Sequence, residues 1–196
     1  MTTATPFTVL DESHRAMRAV VAAVSDDAWT RSTPCAQWNV AQVLRHAAGD
    51  QLAFAAAITG SGGPAENPFE PSAARPDGPR AFLEDALRAA GAAWSTVVPG
   101  TADLPTPLPQ GTMDAGAAAA AAALDMAVHA WDIAVATGQP SPLPAGLAAQ
   151  LTPVATAIVE PLRAYGVYAA ALVPEPGDDA AATLLRYLGR HPAWTR

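Results

Sequence analysis

From Ala115 to Ala123 the chain offers no side chain larger than a methyl group: eight alanines and one glycine in nine residues. Alanine is the strongest helix former and a poor strand former, and a helix without bulk lets its neighbours come close. The run therefore predicts the middle of a tightly packed, all-α protein. Alanine also supplies much of a composition that is 51% hydrophobic and 15% charged, with a mean hydropathy of +0.14. Asp125, His129 and Asp132 break the apolar stretch before it reaches the ~20 residues that a membrane-crossing helix needs, so no membrane partner is expected.

Proline and glycine divide the rest. Val9, Leu10, Met17, Val20, Val21 and Val24 recur at helical spacing and predict a first helix over 7–24, with Glu12, Arg15 and Arg18 on its polar face. His14, between Ser13 and Arg15, is expected in solvent. A second helix is expected to start after Asn39, a good N-cap with Gln42 placed to complete a capping box, and to end at Gly60. Residues 61–79 hold Gly62, Gly63, Pro64, Pro68, Pro71, Pro76 and Pro79, which predicts a long loop suited to a lid or rim. A third helix fits 80–98. Beyond a proline-rich connection, a fourth starts near Thr112 or Met113 and runs to Thr137, where Gly138 and Pro140 stop it. A fifth fits 145–164, with Pro153 implying a late start or a kink. Val167–Val173 suits a short extended segment, and 178–190 a last helix. The expected organisation is a bundle over 1–140 and a helical extension over 141–196 packed on it, one domain overall.

A net charge of −7, a pI near 4.9 and eleven scattered basic residues argue against a nucleic-acid partner. One cysteine, Cys35, rules out an internal disulfide framework and a cysteine-rich zinc knuckle. The first residues, Met-Thr-Thr-Ala-Thr-Pro, lack the basic and apolar regions of a signal peptide, so a cytoplasmic location is expected.

Candidate chemistry rests on histidines. Asp125 and His129 are spaced i, i+4 and meet on one helix face. With eighteen acidic residues in 196, though, about 0.7 such His/acid pairs arise by chance in a chain with four histidines. His46 has its own i+4 acid, Asp50, and lies at the edge of its helix's apolar stripe beside Val43. On spacing alone, these are equally well read as histidines satisfied by neighbouring carboxylates.

Longer blocks change the balance. Ser32-Thr33-Pro34-Cys35-Ala36-Gln37-Trp38-Asn39-Val40, with Leu44 and His46 after it, resembles the Thr-Pro-Cys-x-x-Trp-(Asp/Asn)-Val…His signature of actinobacterial DinB-like proteins. These are related to the N-terminal metal-binding domain of mycothiol-dependent maleylpyruvate isomerase. The run Asp125-Met126-Ala127-Val128-His129-Ala130-Trp131-Asp132-Ile133-Ala134 resembles the second signature of that family, and Leu184–Arg190 with Pro192 resembles the end of its smaller members. The resemblance implies an all-α, DinB-like four-helix bundle with additional C-terminal helices. It also implies a divalent ion, zinc or nickel, held by His46, Asp125 and His129; the same ligand set could also hold iron. The isomerase carries glutamate at the Asp125 position, so the shorter aspartate calls for a closer helix or an intervening water. The isomerase also has a further C-terminal domain that a chain of this length is expected to lack.

Two imidazoles and one carboxylate leave an open coordination position, the pattern of catalytic zinc. A thiol entering it would be held as thiolate. The resemblance therefore implies mycothiol or another low-molecular-weight thiol as cosubstrate, a small electrophile as substrate, and a homodimer. The alternative is a metal- or ligand-binding or dimerisation protein without turnover, favoured by the shortage of other acids and bases in the signatures. Asp132 is a candidate to orient a ligand imidazole, with an ordinary inter-helix hydrogen bond as the rival role; Asp50 has the same two options. Cys35 precedes a helix N-terminus, where a thiol pKa can fall, although packing is the expected role of that turn. Trp38 and Trp131 are expected to wall the pocket or fill the core, and His191 to lie at the surface.

Overall fold

Six helices and one short hairpin make up the computed structural model, which describes residues 5–195. The reading of the N-terminal residues as lacking a leader pattern lies largely outside that range. Helix α1 (Thr8–Ala23) buries Leu10, Met17, Val20 and Val21. His14 corrects the solvent expectation: it lies i+4 from Leu10 and i−3 from Met17, on the buried stripe. Its Nε2–H donates to Gln51 Oε1 at 2.9 Å, and Gln51 Nε2 donates onward to the Ala122 carbonyl at 3.0 Å. Polar sequence neighbours concealed an inward position that the helical period contained.

Helix α2 (Val40–Thr59) starts as read: Asn39 Oδ1 accepts the Gln42 N–H at 2.9 Å, and Gln42 Oε1 accepts the Asn39 N–H at 3.0 Å. Gly60 ends it. Helix α3 (Pro79–Trp94) stops four residues short of the expected end. Ser95 Oγ and Thr96 Oγ1 donate back to the carbonyls of Ala92 and Ala93, and Val97, Val98 and Pro99 follow, a sequence that cannot extend a helix cheaply. Strands β1 (Leu104–Pro105), in the expected connection, and β2 (Thr112–Met113), at the expected start of the fourth helix, pair antiparallel, Leu104 opposite Met113 and Pro105 opposite Thr112. That pairing takes Thr112 and Met113 away from α4 (Ala115–Ala136), whose first turn is capped by the Asp114 carboxylate. Helix α5 (Ala145–Ala164) matches its expected bounds. It carries Pro153 internally and exposed, where water can take the freed carbonyl. Helix α6 (Ala180–Tyr187) is capped by Asp179. Residues 167–173 form no strand. Leu172 N–H does reach the Arg186 carbonyl at 2.9 Å, a single tie to α6 and no ladder.

The first four helices form the bundle: α1 packs along α4 and against α3, and α2 lies against α3 and α4. Helix α5 packs on α4, and α6 on α5. Apolar side chains gather in two clusters, both reaching α4. One joins Leu124, Val128 and Trp131 to Leu147, Leu151 and Leu184; the other joins Met126, Ile133 and Ala134 to Met17, Val43, Leu44 and Leu87. Helix α4 is long and apolar enough to cross a membrane, yet 83% of its most apolar window is buried inside the protein. Its alanines let three helices, α1, α2 and α5, approach one rod, which is the close packing the run predicted.

Candidate metal centre

Helix α4 lines up Asp125, His129 and Asp132 at i, i+4 and i+7, one face of a 3.6-residue period. Opposite, α2 brings His46, and the two imidazoles sit 4.8 Å apart, centroid to centroid. Both are 6% exposed. Asp125 Oδ1 lies 3.2 Å from His46 Nε2 and 3.3 Å from His129 Nε2. The shorter aspartate therefore reaches both rings directly, because α2 and α4 are close.

The far nitrogens fix the tautomers. His46 Nδ1 lies 2.8 Å from the Pro68 carbonyl, which can only accept, so Nδ1 carries the proton. His129 Nδ1 donates to Asp132 Oδ2 at 2.9 Å. In the neutral rings both Nε2 atoms then present lone pairs toward the Asp125 carboxylate. Asp125 Oδ2 is buried with no hydrogen-bond partner among the described residues. Three acceptors thus converge without a donor between them, an arrangement that asks for a cation or an added proton. The two edges from Asp125 Oδ1, 3.2 and 3.3 Å, match the edges of about 3.3 Å in a tetrahedral site with ligand distances of about 2.0–2.1 Å, and all three ligand atoms lie within 4.8 Å of one another.

Electrostatics agree. Burial penalises charge at Asp125, but His129 and His46 outweigh it and hold the carboxyl far below the usual range. Burial likewise opposes charge on His129, and Asp125 with Asp132 overcomes it and pushes the imidazole up to about 9. Without a cation, this cluster takes a proton in its place.

The site extends outward in two directions. Arg190, after α6, directs Nε and Nη2 to Asp132 at 3.0 and 2.9 Å, so Asp132 is held from both sides. On the other flank, residues 61–78 form a strap across the Gln42–Arg45–His46–Gly49 face of α2. Gln42 Nε2 donates to the Pro71 carbonyl, Arg45 Nε to that of Ala74, and Asn39 Nδ2 to that of Ala73. Gly49 makes the approach possible, since a Cβ there would sit 3.1 Å from Pro68 Cγ. Trp38 lies over the His46 ring at 4.5 Å and 6.2 Å from His129. Phe69, 56% exposed, also meets the His46 ring, edge to face with centroids 5.6 Å apart.

Asp50 does not join the trio. Burial, then the Asp125 charge, raises it well above the carboxylate range, so it stays a neutral acid. Cys35 departs from the low-pKa option: burial, reinforced by Asp132, pushes its thiol up to about 11. Its backbone closes the turn instead, N–H to Thr33 Oγ1 and carbonyl to the Trp38 N–H. Trp131 is core, and His191 is exposed. Tyr168, a residue with no signature around it, is raised by burial and then by Asp125, which places it in the same field. Sequence reasoning also missed the Pro68 carbonyl, which no side-chain motif can announce, and a role for Arg190, which appeared only as part of a tail block.

A family model described as the mycothiol maleylpyruvate isomerase N-terminal domain matches residues 10–134. Uncharacterized proteins from two strains of Mycobacterium tuberculosis are each 31% identical to the chain over 189 residues, covering 94% of it and 97% of the relative. No solved structure matches.

Proposed function

The chain belongs to the mycothiol maleylpyruvate isomerase N-terminal domain family, and on that premise we propose that His46, Asp125 and His129 bind a divalent cation, zinc first and nickel or iron as alternatives. The function we infer is a metal-dependent thiol transferase or isomerase for small electrophiles, with mycothiol or another low-molecular-weight thiol as cosubstrate. One observation carries it: the buried, donor-free convergence of His46 Nε2, His129 Nε2 and the orphaned Asp125 carboxylate.

A bound cation at such a donor set supplies positive charge at an open position, which favours the thiolate form of an entering thiol. The chain's own part is positional. Pro68 and Asp132 keep the protons on the two Nδ1 atoms and leave both Nε2 atoms free. Trp38 and Phe69 offer aromatic faces beside His46 for the apolar part of a substrate. Burial raises the Cys35 thiol to about 11, which disfavours its thiolate, and the sulfur is assigned to the cosubstrate. Asp50, its carboxyl raised by burial and then by the Asp125 charge, is the group we assign as a proton donor beside the site.

A second reading, metal or ligand binding without turnover, draws on the burial of both imidazoles. Elemental analysis of the purified protein is expected to find stoichiometric metal that His46→Ala lacks; absence of metal in the native chain, before and after addition, ends the proposal. Incubation with zinc, mycothiol and a chlorinated aromatic electrophile then separates turnover from binding. Equal rates for the native protein and His129→Ala would leave only the second reading. The expected homodimer belongs to the same proposal and is read by sedimentation equilibrium; the expected cytoplasmic location is read by cell fractionation.

A further inference from the structure

Arg190 lies 58 residues beyond Asp132 and outside the stretch that matches the family model, yet it is the partner that holds Asp132. Asp132 is fully buried and Arg190 is 8% exposed. The guanidinium meets the carboxylate with two nitrogens, Nε to Oδ1 at 3.0 Å and Nη2 to Oδ2 at 2.9 Å, the fork geometry that fixes a carboxylate in orientation as well as place. The remaining nitrogen, Nη1, donates to the Leu188 carbonyl at 3.3 Å.

Backbone geometry delivers Arg190 to this position. Its N–H donates to the Leu185 carbonyl at 2.8 Å, closing the end of α6. Gly189 supplies the turn: its φ is 80°, and a Cβ there would lie 2.8 Å from Ala169 Cβ and 2.9 Å from the Ala170 carbonyl oxygen. Leu184, Leu185 and Leu188 seat the segment in the core.

A buried ion pair costs desolvation that an apolar pair of similar volume would avoid. This pair stands one hydrogen bond from a candidate metal ligand, because Asp132 Oδ2 also accepts the His129 Nδ1–H at 2.9 Å. We propose that Arg190 is a positioning residue of the metal centre: through Asp132 it locks the His129 ring in the orientation and tautomer that aim Nε2 at the ion, so the C-terminal segment is part of the site. This rests on the proposed metal binding at His46, Asp125 and His129.

Field and position make opposite predictions for Arg190→Gln. Removing a positive charge near a cation should by itself tighten binding. Losing the lock on His129 should weaken it by on the order of 10–100-fold, the usual effect of removing a partner that orients a ligand. The inference commits to the second.

The test measures zinc affinity of the full chain by competition with a chromogenic chelator, together with the visible absorption of the cobalt-substituted protein, which reports ligand geometry. Native protein should bind and His129→Ala should not. Arg190→Gln and Asp132→Asn should each bind on the order of 10–100-fold more weakly with an altered cobalt spectrum, and the double variant no more weakly than either, because the two act as a unit. Arg190→Lys, which keeps the charge and loses the fork, should fall between. Native affinity or tighter binding in Arg190→Gln, with an unchanged spectrum, overturns the inference and leaves the metal centre standing. No binding by the native chain overturns both. Should Arg190→Gln fail to fold by circular dichroism, Arg190→Lys decides alone: weaker binding with a shifted spectrum supports the lock, and native values overturn it.

Discussion

His14 and His129 are both buried histidines, and their surroundings drive them in opposite directions. Burial dominates at His14, which has only a neutral amide as partner, and lowers the imidazole to about 4. The unfolded chain, with a histidine near 6.5, takes a proton first as pH falls. The His14 contribution to stability is therefore complete above pH 6.5 and lost between 6.5 and about 4. At His129 the carboxylates win and the value rises to about 9, so in metal-free protein its contribution is complete below pH 6.5 and lost as pH climbs through 9. In thermal melts of metal-free protein His14 should add a rise between about pH 4 and 6.5 and His129 a fall from 6.5 toward 9, over the fall that the raised Asp50 carboxyl adds from pH 3.8 upward. His14→Gln should flatten the acid limb, which is worth about 1.4 kcal/mol per pH unit where only one state titrates; an unchanged limb would refute the assignment.

Among elements, α2 carries the most separable parts. Its capping box holds the helix start seven residues before His46, and Asn39→Ala should cost about 1 kcal/mol in urea unfolding. The same asparagine also grips the strap at Ala73, so the loss should reach the site as well as the helix. Gly49→Ala opposes two effects. Within a helix alanine gains up to ~1 kcal/mol over glycine, while here its Cβ would press on Pro68 at 3.1 Å and lengthen the bond from Pro68 to His46. We expect little change in melting temperature and weaker zinc binding; a variant that binds zinc as tightly as the native protein would show that the strap does not position His46. The cap at Asn39 is legible in the sequence; those at Asp114 and Asp179 are equally local, yet the expected starts of α4 and α6 fall two or three residues early. Pairing of Thr112–Met113 with Leu104–Pro105 depends on a partner eight or so residues away, and nothing local to either dipeptide marks it.

At the scale of the whole molecule, α4 is the shared wall of both apolar clusters, and its small side chains set the spacing of the bundle. Ala119→Leu, at a fully buried position, should overpack and cost about 1–3 kcal/mol, read as a lower melting temperature; a neutral result would mean that the helices can separate without penalty. His46, Asp125 and His129 are legible only through their family-like blocks, since i, i+4 spacing arises by chance and pairs His46 with Asp50 instead. The Arg190 contact with Asp132 and the Pro68 contact with His46 are written nowhere in the sequence: one spans 58 residues and the other involves a main-chain oxygen. That last kind of contact has a consequence for how such a molecule can vary. Asn39, Gln42, Arg45 and His46 hold the strap by the carbonyls of Ala73, Pro71, Ala74 and Pro68, groups that every amino acid carries. Side chains along the strap, Phe69 foremost, can therefore be exchanged without loosening those four bonds, so a descendant chain can repaint the face beside His46 while His46 itself stays where it is.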